Sequence, residues 1–250
     1  MLENKTTKVS GSIYNRDKFL NNIAEKLGRN RKYKNVIRPT LKYSCHWEVM
    51  ADFTQDQLKD ELIKFTKETL GMQTLCIKKA QLAETLRTLC AHYCAKADVH
   101  GNTLFSADKR LLAMLNPQDL VNAKHSVHIW DASAGYKANI KFAEQANVGV
   151  VFAEYALAES GTVVLYNSAL QGRAISLLPE ASIFIVLKSS LLPRMTQATR
   201  ILNEKIKTGE RIPSCINFIS GPSSTADIEL IKVVGAHGPI YATYVIIDDM

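Results

Sequence analysis

Residues 137–152 read KANIKFAEQANVGVVF: a helical stretch to Ala146, a break at Asn147, then an apolar run from Val148 to Phe152. That run does not alternate polar with apolar residues, so it suits a strand covered on both faces. The pattern continues outward. Downstream, residues 162–166, 182–187, 216–219 and 241–247 are strand-like, and Glu154-Tyr155-Ala156-Leu157 is helix-like. Pro193 suits the first turn of a helix running to about Lys207, where its missing N–H costs nothing. Upstream, residues 126–130 form a short strand, 108–115 a helix stopped before Pro117, and 73–78 a strand. Residues 80–95 form a helix with Leu82, Leu86, Leu89 and Tyr93 on one stripe. Thr54 with Gln57 reads as a capping box that opens a helix burying Leu58, Leu62 and Phe65. Strands alternating with helices predict an α/β domain with a largely covered central sheet.

Of the 250 residues, 46% are hydrophobic and 22% charged, which supplies a sizeable core and excludes a disordered chain. Apolar runs such as 183–187 are strand-length, far short of a bilayer span, so no membrane role is expected. Residues 1–10 are polar and lack the apolar core of a secretion signal, so a cytoplasmic location is expected.

The net charge of +7 is concentrated early. Residues 1–100 carry 18 Lys and Arg against 11 Asp and Glu, whereas 101–250 carry 13 of each. Lys26, Arg29, Arg31, Lys32, Lys34, Arg38 and Lys42 follow one another without an acid. This run is either a solvated basic arm or a docking strip for an acidic partner. No RNA-binding aromatic motif accompanies it, so nucleic acid is the least favoured partner. Ahead of it, Phe19, Leu20, Ile23 and Leu27 recur at helical spacing, with Gly28 placed to end the helix. Residues 1–45 therefore read as a helical appendage, an arm suited to packing on a partner subunit or a second copy, and 46–250 as the main domain.

Cys45, Cys76, Cys90, Cys94 and Cys215 are read as reduced thiols. Cys90 and Cys94 share one helix face, either as a thiol pair for a metal or, as their isolation favours, as small core residues. No cysteine run matches an iron–sulfur ferredoxin, and neither a Walker A sequence nor a Rossmann fingerprint is present.

Three loops carry the candidate chemistry. In Ala158-Glu159-Ser160-Gly161-Thr162, Gly161 permits a sharp entry into a strand. That turn sets Glu159 beside two hydroxyls, as a base, a nucleophile or an ordinary turn carboxylate. In Gly172-Arg173, the arginine is the only basic residue between Lys141 and Lys188, so it has an anion to meet, either a structural carboxylate or a ligand. In Ser220-Gly221-Pro222-Ser223-Ser224-Thr225, hydroxyls follow a strand and lead towards a helical turn, the makings of an anion cradle. Asp227 and Glu229 complicate that cradle, since they repel an anion unless a metal or a base intervenes. Gly235-Ala236-His237-Gly238 then offers His237 as a proton-transfer group or a simple turn histidine. Ligands on α/β sheets bind outside the carboxyl ends of strands, and the three loops are expected there.

Taken in order, these loops resemble the LUD-domain family in its lactate utilization protein C branch. The resemblance rests on 158–162, on Gly172-Arg173 with Ser176-Leu177-Leu178-Pro179, on 220–223 and 225–229, and on Gly235 with His237-Gly238-Pro239 and Ile246-Ile247-Asp248. Ser160 stands where threonine is more usual and Ser182 where histidine is frequent. The resemblance implies a three-layer α/β fold similar to the sugar-phosphate isomerase and CoA-transferase superfamily. It also implies a bacterial three-component system that oxidises L-lactate to pyruvate. There the cysteine-rich partner subunits carry the iron–sulfur clusters, and this chain carries no cofactor of its own. The expected site has Glu159, His237 and Asp227 in chemical roles. A small anionic ligand would be held by Gly161, Thr162, Gly172, Arg173, Ser220, Gly221, Ser223, Thr225, Glu229, Gly235 and Gly238, with no metal. Two functions follow as expectations: an accessory ligand-binding subunit, or a stand-alone enzyme for a small phosphorylated or CoA-linked acid.

Overall fold

The structure, a computed structural model, describes residues 13–32, 35, 37, 40–95, 100–226 and 230–250. The chain divides into two compact units, Met1–Ser44 and Cys45–Met250. In the first, helix α1 spans Arg16–Lys26 and ends at Gly28, whose φ of 61° is the left-handed turn expected there. The Arg31 guanidinium folds back on α1 and donates to Asn21 Oδ1 at 3.1 Å and Asp17 Oδ1 at 2.8 Å. Lys34 and Arg38 of the basic run lie outside the described residues.

The second unit is built on parallel strands. They are β1 (Gln73–Ile77), β2 (Gly101–Phe105), β3 (His125–Ile129), β4 (Val148–Phe152), β7 (Ala181–Leu187) and β12 (Tyr241–Ile247). Among the described residues they form one six-stranded sheet, in the order β1-β12-β7-β4-β2-β3. Every pairing in it is parallel. Helices lie on both faces, as the alternating pattern requires. On one face, Val148, Val150, Ile183, Ile185, Val245 and Ile247 pack against Leu82, Leu86, Leu89, Cys90 and Cys94 of α3 (Leu82–Cys94). The two thiols are thus core residues, and burial pushes that of Cys90 up to about 12. On the other face, Val151, Phe184, Val186, Tyr244 and Ile246 meet Leu58 and Leu62 of α2 (Gln55–Glu68), Ala143 of α5 (Gly135–Gln145) and Ile175 of α6 (Ala174–Leu177). The Thr54 capping box forms with both of its bonds, Gln57 N to Thr54 Oγ1 at 3.3 Å and Thr54 N to Gln57 Oε1 at 2.8 Å.

The sequence pattern misses three features. Residues 154–157, read as helix-like, contain strand β5 (Tyr155–Leu157), which pairs with β6 (Thr162–Tyr166). Three residues around a tight turn cannot show a period, and tertiary pairing overrides their local propensity. Strand β2 goes unpredicted because its Gly101 and Asn102 interrupt the apolar run. Strands β6 and β9 (Ile216–Ile219) do not join the central sheet. With β5 and β8 (Leu191–Leu192) they form a second sheet, ordered β8-β5-β6-β9. The alternating side chains of β6 serve two cores there: Val163 and Leu165 face the central sheet, while Val164 and Tyr166 face α7 (Met195–Lys207) through Ala198. The second sheet brings the end of β9 back over β12, and this arrangement creates the site.

Candidate functional site

Tyr244 lies in the middle of β12, fully buried, and its hydroxyl joins three segments. It accepts a hydrogen bond from Gly221 N at 3.2 Å and shares its proton between the carbonyls of Gly161 at 2.8 Å and Ile219 at 3.0 Å. Burial raises the phenol far above its ordinary value, so it stays protonated and available for these bonds. Gly161 (φ 58°) and Gly221 (φ 72°) both adopt the left-handed turn that brings these segments to Tyr244. A Cβ on Gly161 would also sit 2.8 Å from Leu70 Cδ1.

A chain of hydroxyls runs beside this clamp. Ser160 Oγ lies 2.7 Å from Thr162 Oγ1, which lies 2.7 Å from Ser220 Oγ. Thr162 is only 3% exposed, so it cannot touch a ligand, and it reaches the site through Ser220.

Ser220 opens into a cavity of about 330 Å³. Its rim carries Ser220, Gly221, Ser223 and Ser224 from one side and His237 and Gly238 from the other; Phe184, Phe218 and Ala242 line the apolar part. The two rims are tied by Ser223 N donating to Pro239 O at 2.9 Å and Gly235 N donating to Ser223 O at 2.8 Å. The antiparallel pair of β10 (Ser224–Thr225) and β11 (Val233–Val234) joins them, and the helical turn expected after the hydroxyls falls on 227–229, outside the described residues. A second cavity of about 500 Å³ adjoins across His237 and Gly238 and is lined by Glu144, Glu180 and Gly235 among others. Gly235 (φ 81°) packs on Ile240, with room for no side chain.

Ser182 and Ala242 of the lining stand at the starts of β7 and β12. The cavity is therefore at the amino ends of these parallel strands, against the expectation of a carboxyl-end site. The antiparallel second sheet causes this, because β9 delivers its loop to the opposite end of the central sheet. Ser182 donates to Ser176 O at 3.1 Å and so fixes the start of β7 to α6.

The structure places several of the other expected residues away from this cavity. Glu159 is not in the lining; Arg194 grips it with Nη2 to Oε1 at 2.7 Å and Nε to Oε2 at 2.8 Å. It is a partly exposed structural ion pair, and the pattern missed Arg194 because the partner comes from a distant loop. Gly172 serves packing: a Cβ there would sit 3.0 Å from Trp130 Cε2. Arg173 is exposed at the start of α6, outside both cavity linings, with no ion-pair partner among the described residues. Thr225 belongs to the hairpin rather than to the cavity lining. Asp227 and Glu229 lie outside the described residues. Tyr244 is the contributor that loop motifs could not expose, although a lone tyrosine within a buried strand run is a signal for a buried hydroxyl needing partners.

Among the described residues, His237 is the sole titratable group in the 330 Å³ cavity, neither lining holds a lysine or an arginine, and no group of three His, Cys, Asp or Glu could hold a metal ion. No described helix is long and apolar enough to cross a membrane.

Residues 62–247 match the family model of the LUD domain. The chain is 43% identical over 242 residues to lactate utilization protein C of Geobacillus sp. (strain WCH70), covering 96% of this chain and 98% of that protein. It is 44% identical over 235 residues to the Escherichia coli (strain K12) protein termed uncharacterized protein YkgG, covering 94% and 99%. A crystal structure of a DUF162 family protein from Deinococcus radiodurans shares the fold with a TM-score of 0.51 at 15% identity, over 78% of this chain and 98% of that one.

Proposed function

Since the chain belongs to the LUD-domain family, in its lactate utilization protein C branch, we propose that it serves lactate utilization as a ligand-binding, non-redox subunit. Its partners in this reading are iron–sulfur subunits that carry the electrons. The observation that supports binding over catalysis is the composition of the cavity. It offers hydroxyls, glycine backbone and one histidine, while the carboxylate placed nearest by sequence, Glu159, is held by Arg194. A nucleophile needs a base within hydrogen-bond reach, and Ser220 has Thr162 instead. The absence of a lysine or arginine from either lining among the described residues, with Glu144 and Glu180 beside the cavity, disfavours a phosphate ester or CoA ligand. A small monoanion, met by hydroxyl donors and a ring N–H of His237, suits the site better.

The assembly is tested by expressing the chain together with cysteine-rich iron–sulfur proteins of a bacterial lactate-oxidising system. Stable co-purification is expected, with lactate oxidation by the assembly and none by this chain alone. Robust turnover by the isolated chain would sink the reading.

A further inference from the structure

Ser220 is fixed before any ligand arrives. Tyr244 holds the peptide on both sides of it, at Ile219 O and Gly221 N, and Thr162 holds its hydroxyl. Such double support is what a ligand-contacting group needs, because a rotor locked in advance loses nothing on binding. Thr162 in turn meets Ser160, so the chain has three hydroxyls and two links of 2.7 Å.

A hydroxyl carries one proton and two lone pairs, so such a chain has two complete arrangements. In one, Ser160 donates to Thr162 and Thr162 to Ser220, and the Ser220 proton points into the cavity to meet a carbonyl oxygen. In the other, a ligand alcohol donates to Ser220, Ser220 to Thr162, and Thr162 to Ser160. Switching needs three O–H rotations; no proton is transferred and no bond is made or broken.

We propose that Ser220 is the ligand-anchoring hydroxyl, that buried Thr162 is its positioning residue, and that the chain lets the cavity hold both the alcohol and the ketone form of a small 2-hydroxy acid. The inference rests on the binding reading above and adds the ligand pair. The site is thus matched to both sides of a two-electron oxidation that it does not itself perform.

The test is calorimetric titration of the full chain with L-lactate and with pyruvate. The wild type is expected to bind both, with affinities within about tenfold of each other, a gap no larger than one hydrogen bond. Thr162→Val should weaken both by about tenfold, and Thr162→Ser should restore both. Ser160→Ala is the diagnostic variant. With the far hydroxyl gone, the Thr162 proton retains only Ser220 at 2.7 Å and the Ser160 carbonyl at 3.4 Å. The chain is then biased towards donating into the cavity, and the affinity ratio should shift several-fold towards pyruvate. A purely structural role for these hydroxyls would leave that ratio unmoved. Should Thr162→Val fail to fold, Thr162→Ser and Ser160→Ala carry the test. Wild-type affinities in Thr162→Val, an unmoved ratio in Ser160→Ala, or a wild type that binds just one of the two acids would overturn the inference alone. A wild type that binds neither would overturn the binding reading with it.

Discussion

Gly149→Ala is expected to destabilise the protein by about 3 kcal/mol or more, a large effect for the addition of one methyl group. Gly149 lies in the fully buried strand β4, paired with Ser182 of β7 and Leu104 of β2. A Cβ there would fall inside contact distance of the Ile175 carbonyl oxygen, 2.9 Å from the Ile175 carbonyl carbon and 3.1 Å from Pro179 Cγ. The obstacle is helix backbone, which cannot rotate away as a side chain can. Nor can α6 easily retreat. Just ahead of it Gly172 is pressed on the Trp130 ring, and the Gln171 amide bonds both Phe152 N and Phe152 O at 3.0 Å. Ser176 and Leu177 of α6 line the cavity, so ligand binding should fall together with stability. Urea unfolding reads the first effect as a lower midpoint at unchanged slope. A stability within a few tenths of a kcal/mol of wild type would show that β4 and α6 separate freely.

Tyr244→Phe is expected to cost about 2–3 kcal/mol, although it deletes a single oxygen. The loss exceeds that of an ordinary hydrogen bond because Gly221 N–H and the carbonyls of Gly161 and Ile219 lose their shared partner in a buried place. The phenyl ring keeps its edge contact with Phe184, so the core itself should remain packed. Amide exchange at Gly221 should accelerate more than exchange across β4 and β7. Uniform acceleration throughout the sheet would instead mean that Tyr244 supports the core generally and has no special hold on the Ser220 loop.

Much of the fold is legible in the residues. The continuous apolar runs of β4, β7 and β12 are those of strands covered on both faces, and Thr54 with Gln57 marks the start of α2 as written. The second sheet is not legible, because period-2 alternation in β6 reveals two buried faces without saying which sheet owns the strand. The site is half legible. Ser220, Gly221, Ser223, His237 and Gly238 do meet around one cavity. Glu159 does not join them, since a turn carboxylate pairs with whichever guanidinium the fold delivers, here Arg194 from a loop 35 residues away. Gly161 and Gly172 look like ligand glycines in sequence, and each sits where packing leaves no room for a Cβ, a demand that both uses share.

The site itself is most directly probed by amide NMR of the labelled full chain titrated with L-lactate. The largest shift changes are expected at Ser220, Gly221, Ser223, Ser224, His237 and Gly238, with smaller ones at Thr162 and Ser160. Changes centred on Glu159 and Arg194, or on Arg173 and the carboxyl ends of the central strands, would contradict the assignment of this cavity as the place where ligand is held.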